Sequence, residues 1–170
     1  MKKLLTTALA TGILATAASV ATAGEIAVIV KTTNSSFWQN VNKGASAAIE
    51  NHPEHTMTFN GPAAESAIAD QVALVENAIN RGVSAIVLAP SDPEALAPVV
   101  KRAFESGIPV AIIDSGLADG SEQYYETCLS TDNCAAGEQA AQLMIDSAGS
   151  TGKVAVMSYV AGVGSEIGRV

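Results

Sequence analysis

Aromatic residues are scarce in this chain of 170 residues, which carries three Phe, three Tyr and a single Trp. Its core must therefore rest on Val, Ile, Leu and Ala, and an aromatic on a loop is a marked feature. Basic residues are few as well: nine Lys and Arg stand against 17 Asp and Glu, a formal charge of −8. They are scattered and form no stripe, which excludes a nucleic-acid partner, because phosphate binding needs clustered cations. Cysteine is limited to Cys128 and Cys134, and His52 and His55 lie far from both in sequence, so no zinc site is indicated. No glycine-rich dinucleotide fingerprint follows Val30, no P-loop occurs, and no Ser sits in a G-x-S-x-G elbow. The chain is read as having no catalytic residues, no cofactor and no metal.

What is present begins with an export signal. Met1-Lys2-Lys3 supplies a positive start, Leu4 to about Val20 is apolar and small, and Ala21-Thr22-Ala23 offers a cleavage motif before Gly24. The stretch is short and rich in Ala and Thr for a membrane anchor, so 1–23 is assigned as a signal peptide and the mature protein to the periplasm. An exported chain permits one disulfide between Cys128 and Cys134, across a strand-to-helix turn; two buried free thiols are the alternative.

Beyond the leader, short apolar runs alternate with helical patterns, the mark of βαβ units around a parallel sheet. Ile26–Val30 is a continuous apolar run, as a strand covered on both faces requires. Ser36 is expected to cap the next helix, whose apolar stripe is Phe37, Val41, Ala45, Ala48 and Ile49. A weaker strand spans 55–59, and a second helix runs from about Glu65 to Arg81, ending at Gly82. A strand at 84–89 leads to Asp92-Pro93, a cap followed by a helix-starting proline. A fourth strand spans 109–113. Further strands are expected at 124–129 and 153–158, with a helix at 133–148 between them and another helix starting at Ser165. The fold class is α/β, a parallel sheet flanked by helices. The division expected is a first lobe at 24–125 and the start of a second at 126–170, cut off within a helix.

Ligands of such sheets meet the loops beyond the C-terminal strand ends. Those loops are Lys31–Trp38, Gly61–Glu65, Pro90–Asp92 and Asp114–Leu117. Phe37 and Trp38 are neighbours, so one should pack inward and the other outward. An outward Trp38 would offer an apolar plate to a sugar ring; the alternative is that it covers a helix edge. Asp114, directly after a buried strand, can accept hydroxyl hydrogens, or instead bond to turn N–H groups. Ser91 and Ser115 are weaker candidates. A soluble flavodoxin-like flavin carrier is a further alternative, with the Thr32–Ser36 loop around a phosphate.

Ile26–Val30 followed by Asn34-Ser35-Ser36-Phe37-Trp38 and Gly44 resembles the opening of the ribose/galactose-type periplasmic binding proteins. Gly82–Leu88 with Pro90, Gly107-Ile108-Pro109-Val110 leading to Asp114, and Thr131-Asp132-Asn133 with Gly137 are similar to later parts of that family. The resemblance implies two α/β lobes joined by a hinge, with a sugar or polyol held between them. It also implies delivery to an inner-membrane ABC permease, or output to a chemoreceptor or sensor kinase, and a monomer at full length. The ligand-binding residues it implies are Lys31, Ser35, Phe37, Trp38, Ser91, Asp114 and Ser115. Ribose-binding members carry Arg where this chain has Ser115 and Ile167, which points away from ribose itself.

Overall fold

A computed structural model describes residues 23–170. The expected signal peptide, 1–23, lies outside the described residues except for Ala23. From Gly24 onward the chain alternates as expected: β1 (Glu25–Ile29), α1 (Ser36–Glu50), β2 (Thr56–Asn60), α2 (Ile68–Arg81), β3 (Ala85–Leu88), α3 (Pro93–Glu105) and β4 (Val110–Asp114). A 3-10 turn at Glu122–Tyr124 precedes β5 (Thr127–Ser130), and α4 (Asn133–Ala148) and α5 (Gly164–Arg169) complete the chain. The five strands are all parallel, in the order β2-β1-β3-β4-β5.

Side-chain alternation along the strands sorts the apolar runs onto two faces. Ala27, Ile29, Ile86, Leu88, Val110 and Ile112 point to one face, where Val75 and Ala78 of α2 and Leu96, Val100 and Ala103 of α3 bury them. Val28, Val30 and Ala89 point to the other, against Trp38, Val41 and Ala45 of α1. Each fully buried aliphatic side chain contributes about 1.5–3 kcal/mol. Local chemistry places the helix ends. Asp92 accepts from the backbone N–H groups of Glu94 and Ala95 at 3.0 and 2.8 Å, with Pro93 in the first turn. Gly82 closes α2 at φ +69°, a conformation that glycine adopts without a Cβ penalty.

Four expectations need correction. The cap of α1 is Ser35, not Ser36: its hydroxyl accepts from the Trp38 N–H at 3.3 Å. Helix α2 starts at Ile68 rather than near Glu65, because residues 61–67 form a loop tied to the one after β1, with Asn34 Nδ2 donating to the Ala63 carbonyl at 2.9 Å. Residues 153–158 are not a strand. A strand exists only through a ladder to a neighbour, and no described strand lies beside them. The N–H groups of Tyr159 and Val160, just beyond, donate instead to the Glu166 carboxylate. The strand expected at 124–129 is shorter and later, and it pairs with β4 from Ala111↔Thr127 to Asp114↔Ser130. The first residues of the expected second lobe thus extend the first sheet, while α4 buries no residue and packs chiefly on α5.

Leu96 lies fully buried between α3 and the sheet. Leu96→Ala should lower the unfolding free energy by about 2–5 kcal/mol, the cost of a core cavity, read from the urea midpoint.

Candidate functional site

The C-terminal rim of the sheet is organised around a buried cation. Lys31 follows β1 and is only 2% exposed. Its Nζ donates to Asp114 Oδ2 at 2.6 Å and to Ser115 Oγ at 2.7 Å, and Ser115 Oγ donates in turn to Asp114 Oδ2 at 3.0 Å. Burying an ammonium without partners would cost several kcal/mol or neutralise it, so this triad is what permits Lys31 to lie inside. Asp114 is the one non-glycine among the described residues with positive φ, at +68°. The Ser115 N–H donates to the Ile113 carbonyl at 2.8 Å, and this i→i+2 bond makes Asp114 the centre of a γ-turn. Such backbone strain, on the order of 1–3 kcal/mol, persists only where the surroundings over-determine it, and it clusters at functional sites. Both contacts on the carboxylate fall on Oδ2; Oδ1 receives no hydrogen bond from the described residues.

Beside this triad lies an open hollow of about 470 Å³, lined among others by Phe37, Trp38, Asp114, Cys128, Ser130 and Thr131. Trp38 and Asp114 therefore share one cavity, as two strand-end loops on the same rim should. The aromatic pair divides as expected, one in and one out, but in the reverse sense to an outward Trp38. Trp38 is 2% exposed and Phe37 is 55% exposed. The rings meet edge to face, with centroids 4.8 Å apart and planes at 83°. Positions 38, 41 and 45 face the sheet, and Trp38 packs on Val28, Val30 and Ala89. The indole N–H needs a partner inside, and Glu65 Oε1 accepts it at 2.9 Å. Phe37 is thus the free apolar plate, and Trp38 the support beneath its edge.

The other expected residues are placed apart. Ser35 spends its hydroxyl on the cap and faces a second hollow of about 340 Å³ with Thr32, Asn34, Glu65 and Tyr159. Ser91 is buried, and its Oγ has no partner. Ser115 is buried beneath the turn into α5, where an added Cβ on Gly164 would stand 3.6 Å from the Ser115 Cβ. Cys128 and Cys134 are both free and exposed, so neither alternative weighed for them, the disulfide or buried thiols, describes them. The first lies on extended β5 beside the hollow and the second in the first turn of α4. Burial pushes the Cys128 thiol up, partly offset by a hydrogen bond with Ser130.

One residue that organises the rim was missed. Gln71 is fully buried, with its amide donating to two backbone carbonyls and accepting the Ser91 N–H. Its signal was available, because it lies three residues after Ile68 and four before Val75, a polar residue on the apolar stripe. Glu65 lies in the Gly61–Glu65 loop that the strand-end rule marks, and only its bond to Trp38 could not be read, since that partner is distant in sequence.

Alkylation without reductant should show two adducts by intact mass, and peptide mapping should show Cys128 reacting more slowly than an ordinary exposed thiol. Its raised pKa leaves less thiolate at any given pH. A mass two hydrogens lighter and no adduct would mean a disulfide instead.

The periplasmic binding protein domain model matches residues 26–169. The D-ribose/D-allose-binding protein of Pseudomonas aeruginosa is 37% identical over 91 residues, 53% of this chain and 28% of that protein. The ribose import binding protein RbsB of Bacillus subtilis is 30% identical over 137 residues, covering 81% of this chain and 43% of that one. An ABC transporter solute-binding protein from Agrobacterium vitis, solved with bound D-fucose, superposes with a TM-score of 0.84 at 68% identity. The match covers 86% of this chain and 50% of that one, so the chain spans half or less of the length of these relatives. The parallel sheet in the order β2-β1-β3-β4-β5 and the match across 26–169 together place this chain in the type 1 periplasmic binding protein family.

Proposed function

We propose that this chain is the first lobe, with the beginning of a second, of a non-enzymatic solute-binding protein that captures a neutral hydroxylated ligand. The ligand class is a monosaccharide or polyol, and the complex delivers it from the periplasm to an ABC permease. The observation that carries this reading is Asp114. Lys31 and Ser115 hold its Oδ2 and leave Oδ1 unpartnered, on a residue that lines the same hollow as exposed Phe37. A carboxylate oxygen accepts ligand O–H groups in charge-assisted hydrogen bonds, and a phenyl face takes the C–H side of a sugar ring. Because Lys31 and Asp114 carry opposite charges in direct contact, the pair has no net charge to attract an ionised ligand. Ser91, with its unpartnered buried hydroxyl, and Ser35 are second-rank contacts in this reading.

The A. vitis relative supports D-fucose as the first ligand to test. The lobe boundary in this reading falls after β5, near Thr131, rather than at 125, because β5 belongs to the first sheet. The leader at 1–23 directs export and is removed.

Calorimetric titration of the complete protein with D-fucose and a panel of pentoses, hexoses and polyols tests the reading. Binding of one of them, with Asp114→Ala losing about 2–5 kcal/mol, is expected, since truncation leaves the buried Lys31 ammonium without its counter-charge. Wild-type affinity in Asp114→Ala would reject the site. Trp38 is the only tryptophan of this chain. With Phe37 against its ring, ligand docking should shift a Trp38 component of the emission, and Phe37→Ala should both weaken binding and remove that shift. Unchanged binding in Phe37→Ala would remove the apolar plate from the site.

A further inference from the structure

At the ligand rim β1 and β3 part company. Their parallel register ends at Ile29↔Leu88, with the Ala89 N–H still donating to the Ile29 carbonyl at 2.9 Å. Val30, the next residue, faces β2 by ordinary strand alternation, its N–H donating to the Asn60 carbonyl at 2.9 Å. This is the point where strand order reverses, because β2 lies on one side of β1 and β3 to β5 on the other. A crevice opens at such a switch point, and with it backbone groups lose their ladder partners. The carbonyls of Val30 and Ala89 receive no backbone N–H among the described residues. Buried carbonyls left unpaired are destabilising, because they give up their bonds to water and gain none in return.

One side chain answers all of this. Gln71 reaches in from α2, fully buried, and its Nε2 donates to the Val30 carbonyl at 3.1 Å and to the Ala89 carbonyl at 2.8 Å. Its Oε1 accepts the Ser91 N–H at 2.8 Å. The Val30 carbonyl is pressed from another side too, as a Cβ on Gly61 would stand 2.9 Å from its oxygen and 3.2 Å from Thr32 backbone atoms. The residue after Val30 is Lys31, whose ammonium must meet Asp114 and Ser115 within 2.6–2.7 Å. We propose that Gln71 is a positioning residue for the ligand site: its amide clamps the diverging ends of β1 and β3 and so fixes the backbone that mounts Lys31 and Ser91. A hydrophobic residue of equal size would fill the same space and preserve the core, but it could not tie the two strand ends to one another. The inference rests on the sugar-binding reading for its effect on affinity, and on the clamp itself for its effect on the backbone.

The test uses the complete protein as wild type, Gln71→Met and Gln71→Glu, with D-fucose as probe. Amide exchange and chemical shifts are followed by NMR, and affinity by calorimetry. In Gln71→Met, Ser91 amide exchange should rise at least tenfold and the Lys31 and Ser115 resonances should move, while α3 amides stay protected. D-fucose affinity should fall at least tenfold. In Gln71→Glu, a carboxylate oxygen would face the two carbonyls at pH 8 and repel them. Protonation towards pH 5 restores one donor, so affinity and slow Ser91 exchange should both recover on acidification relative to wild type, a signature that lost packing cannot produce. Should Gln71→Met fail to fold, this pH recovery decides alone, and its absence counts against the clamp. Ser91 exchange and affinity within twofold of wild type in Gln71→Met would overturn the proposal, as would faster exchange with intact affinity. If wild type ignores D-fucose, the sugar assignment fails, and the clamp is then judged by the exchange and resonance data.

Discussion

The structure depends on an ammonium held in the interior. Lys31 stands at the end of β1 and Asp114 at the end of β4, with β3 between them in the sheet. Two strand spacings amount to about 9–10 Å, a gap that a long, unbranched side chain and a short carboxylate can bridge together. The lysine must therefore cross the end of β3, over the turn that begins at Ala89. That crossing makes the outcome sensitive to where each strand stops. A carboxylate one residue earlier or later would point to the other face of the sheet. The γ-turn at Asp114 has the same origin, since the backbone bends sharply there to bring the carboxylate and the Ser115 hydroxyl onto a single cation.

The aromatic pair obeys a different constraint, the rotation of α1. Successive helical residues stand about 100° apart, so Phe37 and Trp38 flank the line of Val41 and Ala45, and only one of them can take its inner side. The inward stripe is Trp38, Val41 and Ala45, and Phe37 lies on the solvent side. Trp38 brings a polar N–H into a dry place, and the loop after β2 supplies Glu65 to receive it. The loops after β1 and β2 are consequently locked to each other, by this bond and by Asn34 to the Ala63 carbonyl. Exposed Phe37 thus meets, edge to face, an indole that is itself held in place by a hydrogen bond.

What could be read from the residues was whatever is decided locally. Ile26–Val30, Asp92-Pro93 and Gly82 announce a buried strand, a capped helix start and a left-handed stop through their own chemistry. The positions of Lys31, Asp114 and Ser115 at strand ends also followed from the pattern, because a parallel sheet delivers those residues to one rim. Their mutual contacts did not follow, since these need strand order, and order is set by packing between distant elements. Two adjacent serines were equally good caps by type, and nothing within four residues distinguished them. Residues 153–158 carry a strand-like pattern, yet a strand also needs a neighbour's ladder. Gln71 shows the opposite case. Its place on the apolar stripe of α2 was a visible anomaly, and its meaning emerged only with the two carbonyls it satisfies.

The identity of the buried cation bears on what the rim can hold. A guanidinium at the Lys31 position would present a planar fork and tend to engage both carboxylate oxygens at once. An ammonium is compact, and here it takes only Oδ2, assisted by the Ser115 hydroxyl on the same oxygen. The carboxylate is thereby fixed in orientation and still keeps an acceptor free. Ser115 contributes by being short, since a long cationic side chain beside Asp114 would compete with Lys31 for the carboxylate and fill part of the hollow. The lysine, the serine and the strained aspartate are in this sense one device. Each would be a costly choice alone, through buried charge, buried hydroxyl or unfavourable φ, and each cost is offset by the other two. What the three leave over is one carboxylate oxygen without a partner among the described residues, on a residue that lines a hollow with both polar and apolar walls.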